Sequence, residues 1–209
     1  DWVKVLHGEQ KMVIHNPLPT SATIKAKSKV TGLVDKGADK GALILTERTL
    51  KDAESGLDLA TLTSTTFARG NGGYDGPSDE APRPHKVPET EPDFAVDLTT
   101  LDMAALIYRL SGDYNPLHAS PSVARAAGFP KPILHGLCSL GVAGHAILKG
   151  CCDYDAKRLK SLQLRFSSPV YPGETMRTEI WRDGANISFK SKIVERDVVV
   201  LDNGHATVE

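Results

Sequence analysis

The sequence predicts an α+β protein in which an antiparallel sheet wraps a long apolar helix, an arrangement built twice with the first copy incomplete. Three observations predict it. Segments near both ends alternate apolar and polar residues as half-buried strands do. Residues 137–148 are apolar or small on nearly every side, as in a helix enclosed by other elements. A weak internal repeat links the halves: Asn16-Pro17-Leu18-Pro19 and Pro169-Val170-Tyr171-Pro172-Gly173-Glu174 each precede an alternating strand. The second unit follows the apolar helix. The first has no such helix, so the chain is expected to begin partway through its first unit.

Residues 1–67 read mostly as strands, clearest at 23–30, 42–47 and 59–67. Gly-bearing turns around 35–41 and 54–56 separate them. Residues 69–97 break the pattern with Gly70, Gly72, Gly73 and Gly76, then Pro77, Pro82, Pro84, Pro88 and Pro92. This composition predicts a linker or covering loop, either floppy on the surface or approaching a ligand through its Gly-rich start.

Residues 99–149 read as helical. Thr99 or Thr100 can cap a helix whose apolar face includes Leu101, Ala104, Ala105, Ile107 and Tyr108. That helix should fail near Ser111-Gly112. Pro121 suits the first turn of a short helix ending at Gly128. From 160 onward the chain returns to strands at 161–166, 176–181, 187–193 and 205–208, with Asp183-Gly184 as a hairpin signal. The expected division is a non-catalytic half at 1–68, the linker at 69–97 and a catalytic half at 98–209.

The bulk numbers narrow the functional classes. The 209 residues suit one large or two small domains, and 40% hydrophobic with 24% charged content is ordinary for a globular protein. A net charge of −1 gives no electrostatic case for nucleic acid or an anionic membrane. No apolar run is long enough to span a bilayer. The three cysteines, Cys138, Cys151 and Cys152, form no spaced disulfide framework and no zinc pattern, which favours a reducing compartment and no metal. The start at Asp1-Trp2-Val3-Lys4 has neither Met nor a signal-peptide pattern, so the chain is expected to belong to something longer.

Two runs carry the chemistry. Ser111-Gly112-Asp113-Tyr114-Asn115-Pro116-Leu117-His118 sets an acid and an imidazole five residues apart, a proton donor and acceptor pair. The bland reading is an Asx-type turn at Asp113 with His118 merely packed. Pro132-Ile133-Leu134-His135-Gly136-Leu137 opens the apolar helix, and the Gly136 N–H at its start could hold a developing oxyanion. There the bland reading is a Gly needed only for the turn, with His135 structural. Together the runs point to addition or removal of water beside a carbonyl.

The first run resembles the signature loop of MaoC-type (R)-specific enoyl-CoA hydratases, or hydratase 2. Val5-Leu6-His7-Gly8-Glu9-Gln10, Asp35-Lys36-Gly37, the Pro132–Cys138 run and Pro169-Val170-Tyr171-Pro172-Gly173 resemble the eukaryotic peroxisomal hydratase 2 unit. The resemblance covers nearly the whole chain. It implies a double hot dog fold, with two joined sheets each wrapping a helix, whose first unit accommodates the acyl chain and whose second carries the loop. The family's first central helix has no counterpart here.

The activity implied is reversible hydration of trans-2-enoyl-CoA to (3R)-3-hydroxyacyl-CoA, with medium to long or bulky acyl chains, in fatty-acid β-oxidation. Asp113 and His118 are the implied acid–base pair. Asn115 would bind water or oxyanion, or else only brace the turn, and Gly136 would receive the thioester oxygen. His7, Gly8, Lys36 and Phe166 match positions that contact the CoA ester, and Tyr114, Pro116 and Leu117 complete the substrate-binding loop. CoA enters as part of the substrate, so no cofactor is implied. The resemblance also implies a homodimer, peroxisomal residence, and fusion to dehydrogenase or sterol-carrier domains. Competing readings are a short-chain MaoC-type dehydratase, a thioesterase of related fold, and a non-catalytic acyl-CoA binding module.

Overall fold

The computed structural model describes residues 5–78 and 82–209. The first four residues and linker residues 79–81 lie outside this description. Four strands come first: β1 (Val5–Ile14), β2 (Ile24–Asp35), β3 (Ala42–Asp52) and β4 (Asp58–Ala68). The second half holds β5 (Phe94–Thr99), α1 (Ala104–Tyr108), α2 (Pro121–Ala126), α3 (Gly136–Cys151), β6 (Leu159–Phe166), β7 (Thr175–Asp183), β8 (Asn186–Ile193) and β9 (Val198–Val208).

The strands form one nine-stranded sheet in the order β2-β3-β4-β1-β6-β9-β8-β7-β5. Every neighbouring pair is antiparallel. β1 pairs with β4 on one side and β6 on the other, so the sheets of the two halves fuse along the β1–β6 seam. The second half wraps α3. Ala143, Ala146, Ile147 and Cys151 of the helix pack into a buried core with Leu162, Leu164, Ile180, Ile187, Phe189 and Val200 from the strands. Each large side chain sealed there contributes about 1.5–3 kcal/mol of apolar burial. Among the described residues of the first half there are strands and no helix.

The structure corrects three expectations. The α3 helix is not enclosed on all sides. Leu137, Gly141, His145 and Lys149 form an exposed stripe at i, i+4 spacing, on the side of the helix turned away from the sheet core. The helix expected from Thr99 or Thr100 is short and begins at Ala104. Thr100 is occupied elsewhere: its hydroxyl donates to the Glu174 carbonyl and accepts from the Gly173 N–H, both at 3.0 Å. Of the expected apolar face only Ala105 is buried, while Leu101 and Ile107 are exposed. The segment expected as linker ends earlier, since residues 94–97 already pair with β7.

The described parts of that segment are tied to the strands. The buried Asp35 carboxylate accepts N–H bonds from Gly37, Gly73 and Tyr74 at 2.7–2.8 Å. These bonds, with Gly73 foremost, hold its pKa below the usual carboxylate range. Further on, the chain runs across the sheet. His85 bonds Ser188 at 2.8 Å, and the Thr90 carbonyl accepts from the Trp181 indole N–H at 2.9 Å.

Candidate active site

The loop between α1 and α2 is shaped by local side-chain bonds. Gly112 takes a left-handed φ of 106°, which ends the 3₁₀ turn 109–111. The Asp113 carboxylate accepts from the Asn115 N–H at 3.1 Å, an Asx turn. The Asn115 side-chain oxygen accepts from the Leu117 N–H at 3.0 Å and caps the 3₁₀ turn Pro116–His118. Asn115 therefore does the bracing job, and only its amide nitrogen remains for a ligand.

His118 is fixed by a contact that the local sequence does not reveal. Its Nδ1 lies 2.8 Å from the Ile133 carbonyl oxygen. A carbonyl can only accept, so Nδ1 carries the proton and Nε2 presents a lone pair. Burial lowers the His118 pKa. The Ile133 bond opposes this, the neighbouring His135 adds to it, and Asp113 opposes it. The imidazole is thus poised neutral, as a proton acceptor must be.

His135 lies directly on His118, with ring centroids 3.7 Å apart and planes 27° apart. Its other face meets Tyr108 at 4.7 Å. One ligand atom each from Asp113, His118 and His135 falls within 4.8 Å of the others. These three side chains lie close enough together to hold a metal ion, and Asp113 and His118 among them also suit proton transfer.

Gly136 opens α3, where the first-turn N–H groups lack intrahelical acceptors. The Cys138 and Ser139 N–H groups both turn back to the His135 carbonyl at 3.1 Å. A Cβ on Gly136 would lie 3.2–3.4 Å from the Phe166 ring. Phe166 in turn meets the His7 ring at 4.8 Å. His7 sits at the start of a bulge in β1 that includes Gly8, and its Nε2–H donates to the Glu9 carbonyl at 3.1 Å. Burial lowers its pKa.

The structure therefore gathers Asp113, Asn115 and His118 in one loop, and Gly136, Phe166 and His7 in one contact chain across the β1–β6 seam. Tyr114 is exposed beneath the Arg109 guanidinium, 5.4 Å from its ring centroid. Pro116 is exposed and Leu117 half-buried. Lys36 is exposed in the turn after β2, on the strand at the far edge of the first half, and no described bond ties it to the loop. Sequence reasoning missed the Ile133 carbonyl and the Tyr108–His135–His118 stack. The adjacency of His135 to Gly136 was the only signal for either.

Comparison with known proteins places the chain in a family. Residues 84–204 match the MaoC like domain, and residues 1–70 match the MFE-2 hydratase 2 N-terminal domain. The chain belongs to the MaoC-like hydratase 2 family. Among its relatives, mouse peroxisomal multifunctional enzyme type 2 is 40% identical over 98% of this chain and 28% of its own length. The 3-hydroxyacyl-thioester dehydratase Y of Mycobacterium tuberculosis is 41% identical over 96% of this chain and 71% of its own. The crystal structure of a MaoC-like dehydratase from Phytophthora capsici superimposes with a TM-score of 0.94 at 41% identity, covering all of this chain and 73% of that one. The MaoC-like hydratase 2 chain thus spans only part of each of these relatives. A double-hotdog protein of Mycobacterium tuberculosis, 15% identical with a TM-score of 0.65, shares the fold. So does a 12:0-ACP thioesterase from Umbellularia californica, 11% identical at a TM-score of 0.58.

Proposed function

We propose that this chain catalyses reversible syn hydration of a trans-2-enoyl-CoA to a (3R)-3-hydroxyacyl-CoA. One observation carries the reading: Ile133 holds the Nδ1 proton of His118, which leaves Nε2 as the proton acceptor, on a ring that has a nitrogen within 4.8 Å of an Asp113 carboxylate oxygen. The names of the relatives support it. An Arabidopsis relative, 40% identical over 94% of this chain, is an enoyl-CoA hydratase 2, and the mycobacterial one is a dehydratase of 3-hydroxyacyl thioesters.

In this mechanism His118 takes a proton from the water as its oxygen bonds to C3. The C2–C3 π electrons move toward the thioester carbonyl, and the Gly136 N–H at the positive end of α3 meets the charge on that oxygen. Asp113 delivers a proton to C2 from the same face, and the pair re-equilibrates its protons as a coupled unit. His7, Gly8 and Phe166 hold the thioester at the seam, and Tyr114, Pro116 and Leu117 flank the loop. Lys36 meets the CoA phosphates at longer range. Residues 1–68 accommodate a medium to long or bulky acyl chain, the segment from 69 to the start of β5 links, and the second half from β5 onward catalyses. Fusion to further domains accords with the mouse relative, of which this chain spans 28%. A homodimer and peroxisomal residence remain part of the proposal, and mycobacterial relatives of equal identity leave the location open.

The test is loss of enoyl absorbance with trans-2-decenoyl-CoA, followed by chiral analysis of the product. A (3R) product, reduced by orders of magnitude in Asp113→Ala and His118→Ala, supports the reading. A folded protein that binds the thioester without turnover refutes it in favour of a binding module.

A further inference from the structure

We infer that His135 is a positioning residue that aligns both members of the acid–base pair, gripping the Asp113 main chain by a hydrogen bond and the His118 ring by stacking. The inference rests on the reaction proposed above.

His135 is 2% exposed, and its backbone is locked by its place at the start of α3. Its Nε2 lies 3.3 Å from the Asp113 carbonyl oxygen. That oxygen only accepts, so Nε2 carries a proton. Its Nδ1 is buried with no partner among the described residues. A ring present only to fill space carries that desolvation cost for no return. Here the single polar bond the ring makes goes to the residue that bears the proposed acid.

The grip is double. Ile133 accepts from the His118 Nδ1–H, and two residues on, His135 donates to the Asp113 carbonyl. Gly136 follows at once. Residues 133–136 therefore fix base, acid and oxyanion donor through one short stretch of backbone, and placement errors of about 1 Å in such a constellation cost on the order of a hundredfold. The groups facing His135 are Tyr108 on α1 and Asp113 and His118 on the loop. Imidazoles stacked at 3.7 Å do not share a second positive charge, and His135 contributes to the lowered proton affinity of His118.

Two variants separate the stack from the bond. His135→Phe keeps a ring over His118 but loses the donor. Its kcat falls about tenfold or more with KM within about threefold. His135→Gln keeps a donor but loses the ring. It recovers part of the kcat lost in the Phe variant, and its acidic limb moves to higher pH as His118 regains water. Circular dichroism and melting temperature report folding. Two folded variants with wild-type kcat and unmoved limbs overturn the inference. So does a kcat loss that only tracks the unfolded fraction.

A readout in wild-type protein covers the case of variants that do not fold. Imidazole nitrogen shifts of the labelled protein at alkaline pH should show the His135 proton on Nε2, the nitrogen that faces the Asp113 carbonyl. A proton on Nδ1 instead overturns the inference. Wild-type protein without turnover counts against the hydration reading instead, and the nitrogen shifts then decide the alignment by themselves.

Discussion

Gly136→Ala is the most direct probe of the oxyanion position, because it leaves the N–H in place and changes only the space around it. The added Cβ would lie 3.2, 3.3 and 3.4 Å from three carbons of the Phe166 ring, where ordinary carbon contacts begin at about 3.5 Å. The ring must retreat by a few tenths of an ångström, toward or past the His7 ring that flanks it. Phe166 is only half-buried, so this adjustment stays at the low end of the ~1–3 kcal/mol of overpacking. Alanine recovers up to about 1 kcal/mol of helix propensity over glycine. The two nearly cancel, and the melting temperature should move by no more than about 2–4 °C. Activity should not be spared. If the thioester oxygen seats on the Gly136 N–H, the methyl stands where the ester must approach, and loss of one oxyanion donor costs about 10²–10³ in kcat. The assay is hydration of trans-2-decenoyl-CoA beside thermal melting, with Gly136→Ala combined with Phe166→Ala as a control that removes the ring clash. The double variant should melt like Phe166→Ala and remain slow. Full activity in folded Gly136→Ala would refute the placement of the thioester at the start of α3.

Other outcomes follow from the same coordinates. Gly204→Ala in β9 should destabilise by about 3 kcal/mol or more, read by denaturant titration, because its Cβ would fall 2.4 Å from the Phe189 carbonyl oxygen and 2.6 Å from its fully buried ring. Stability should fall as pH drops below about 6.5. His7, His85, His118 and His205 all have pKa values lowered by burial, so the unfolded chain takes up protons first; the loss runs from the free-histidine value down through the folded ones, and a melting temperature flat between pH 7.5 and 5.5 would contradict it. The acidic limb of kcat/KM should lie below the ordinary histidine pKa, since His118 is the acceptor and burial depresses it. Asp35→Asn should loosen the start of the linker, seen as faster proteolysis around residues 70–78, because the amide cannot accept from Gly37, Gly73 and Tyr74 as the carboxylate does.

What the sequence made legible was local, and what it hid was long-range. Alternation exposed β6 to β8 because each of these strands turns one face toward the core around α3. The loop that holds Asp113 and His118 was legible because its turns are local: the Asp113 and Asn115 side chains each accept from a backbone N–H two positions on. Thr100 failed as a helix cap because its hydroxyl is taken by a turn more than seventy residues distant, which no local pattern shows. The α3 helix looked enclosed because glycine and alanine are neutral to exposure, so composition could not mark the open stripe of Leu137, Gly141, His145 and Lys149. The site divides along this line. Its acid and base share one loop and could be read together, whereas the surface proposed to receive the thioester is assembled from three places. His7 comes from β1, Phe166 from β6 and Gly136 from α3, and they meet only because β1 pairs with β6 where the two halves join. A hydratase of this design depends on that seam as much as on its motif, since a shift in the β1–β6 register would move His7 from the Phe166 ring while leaving Asp113 and His118 untouched.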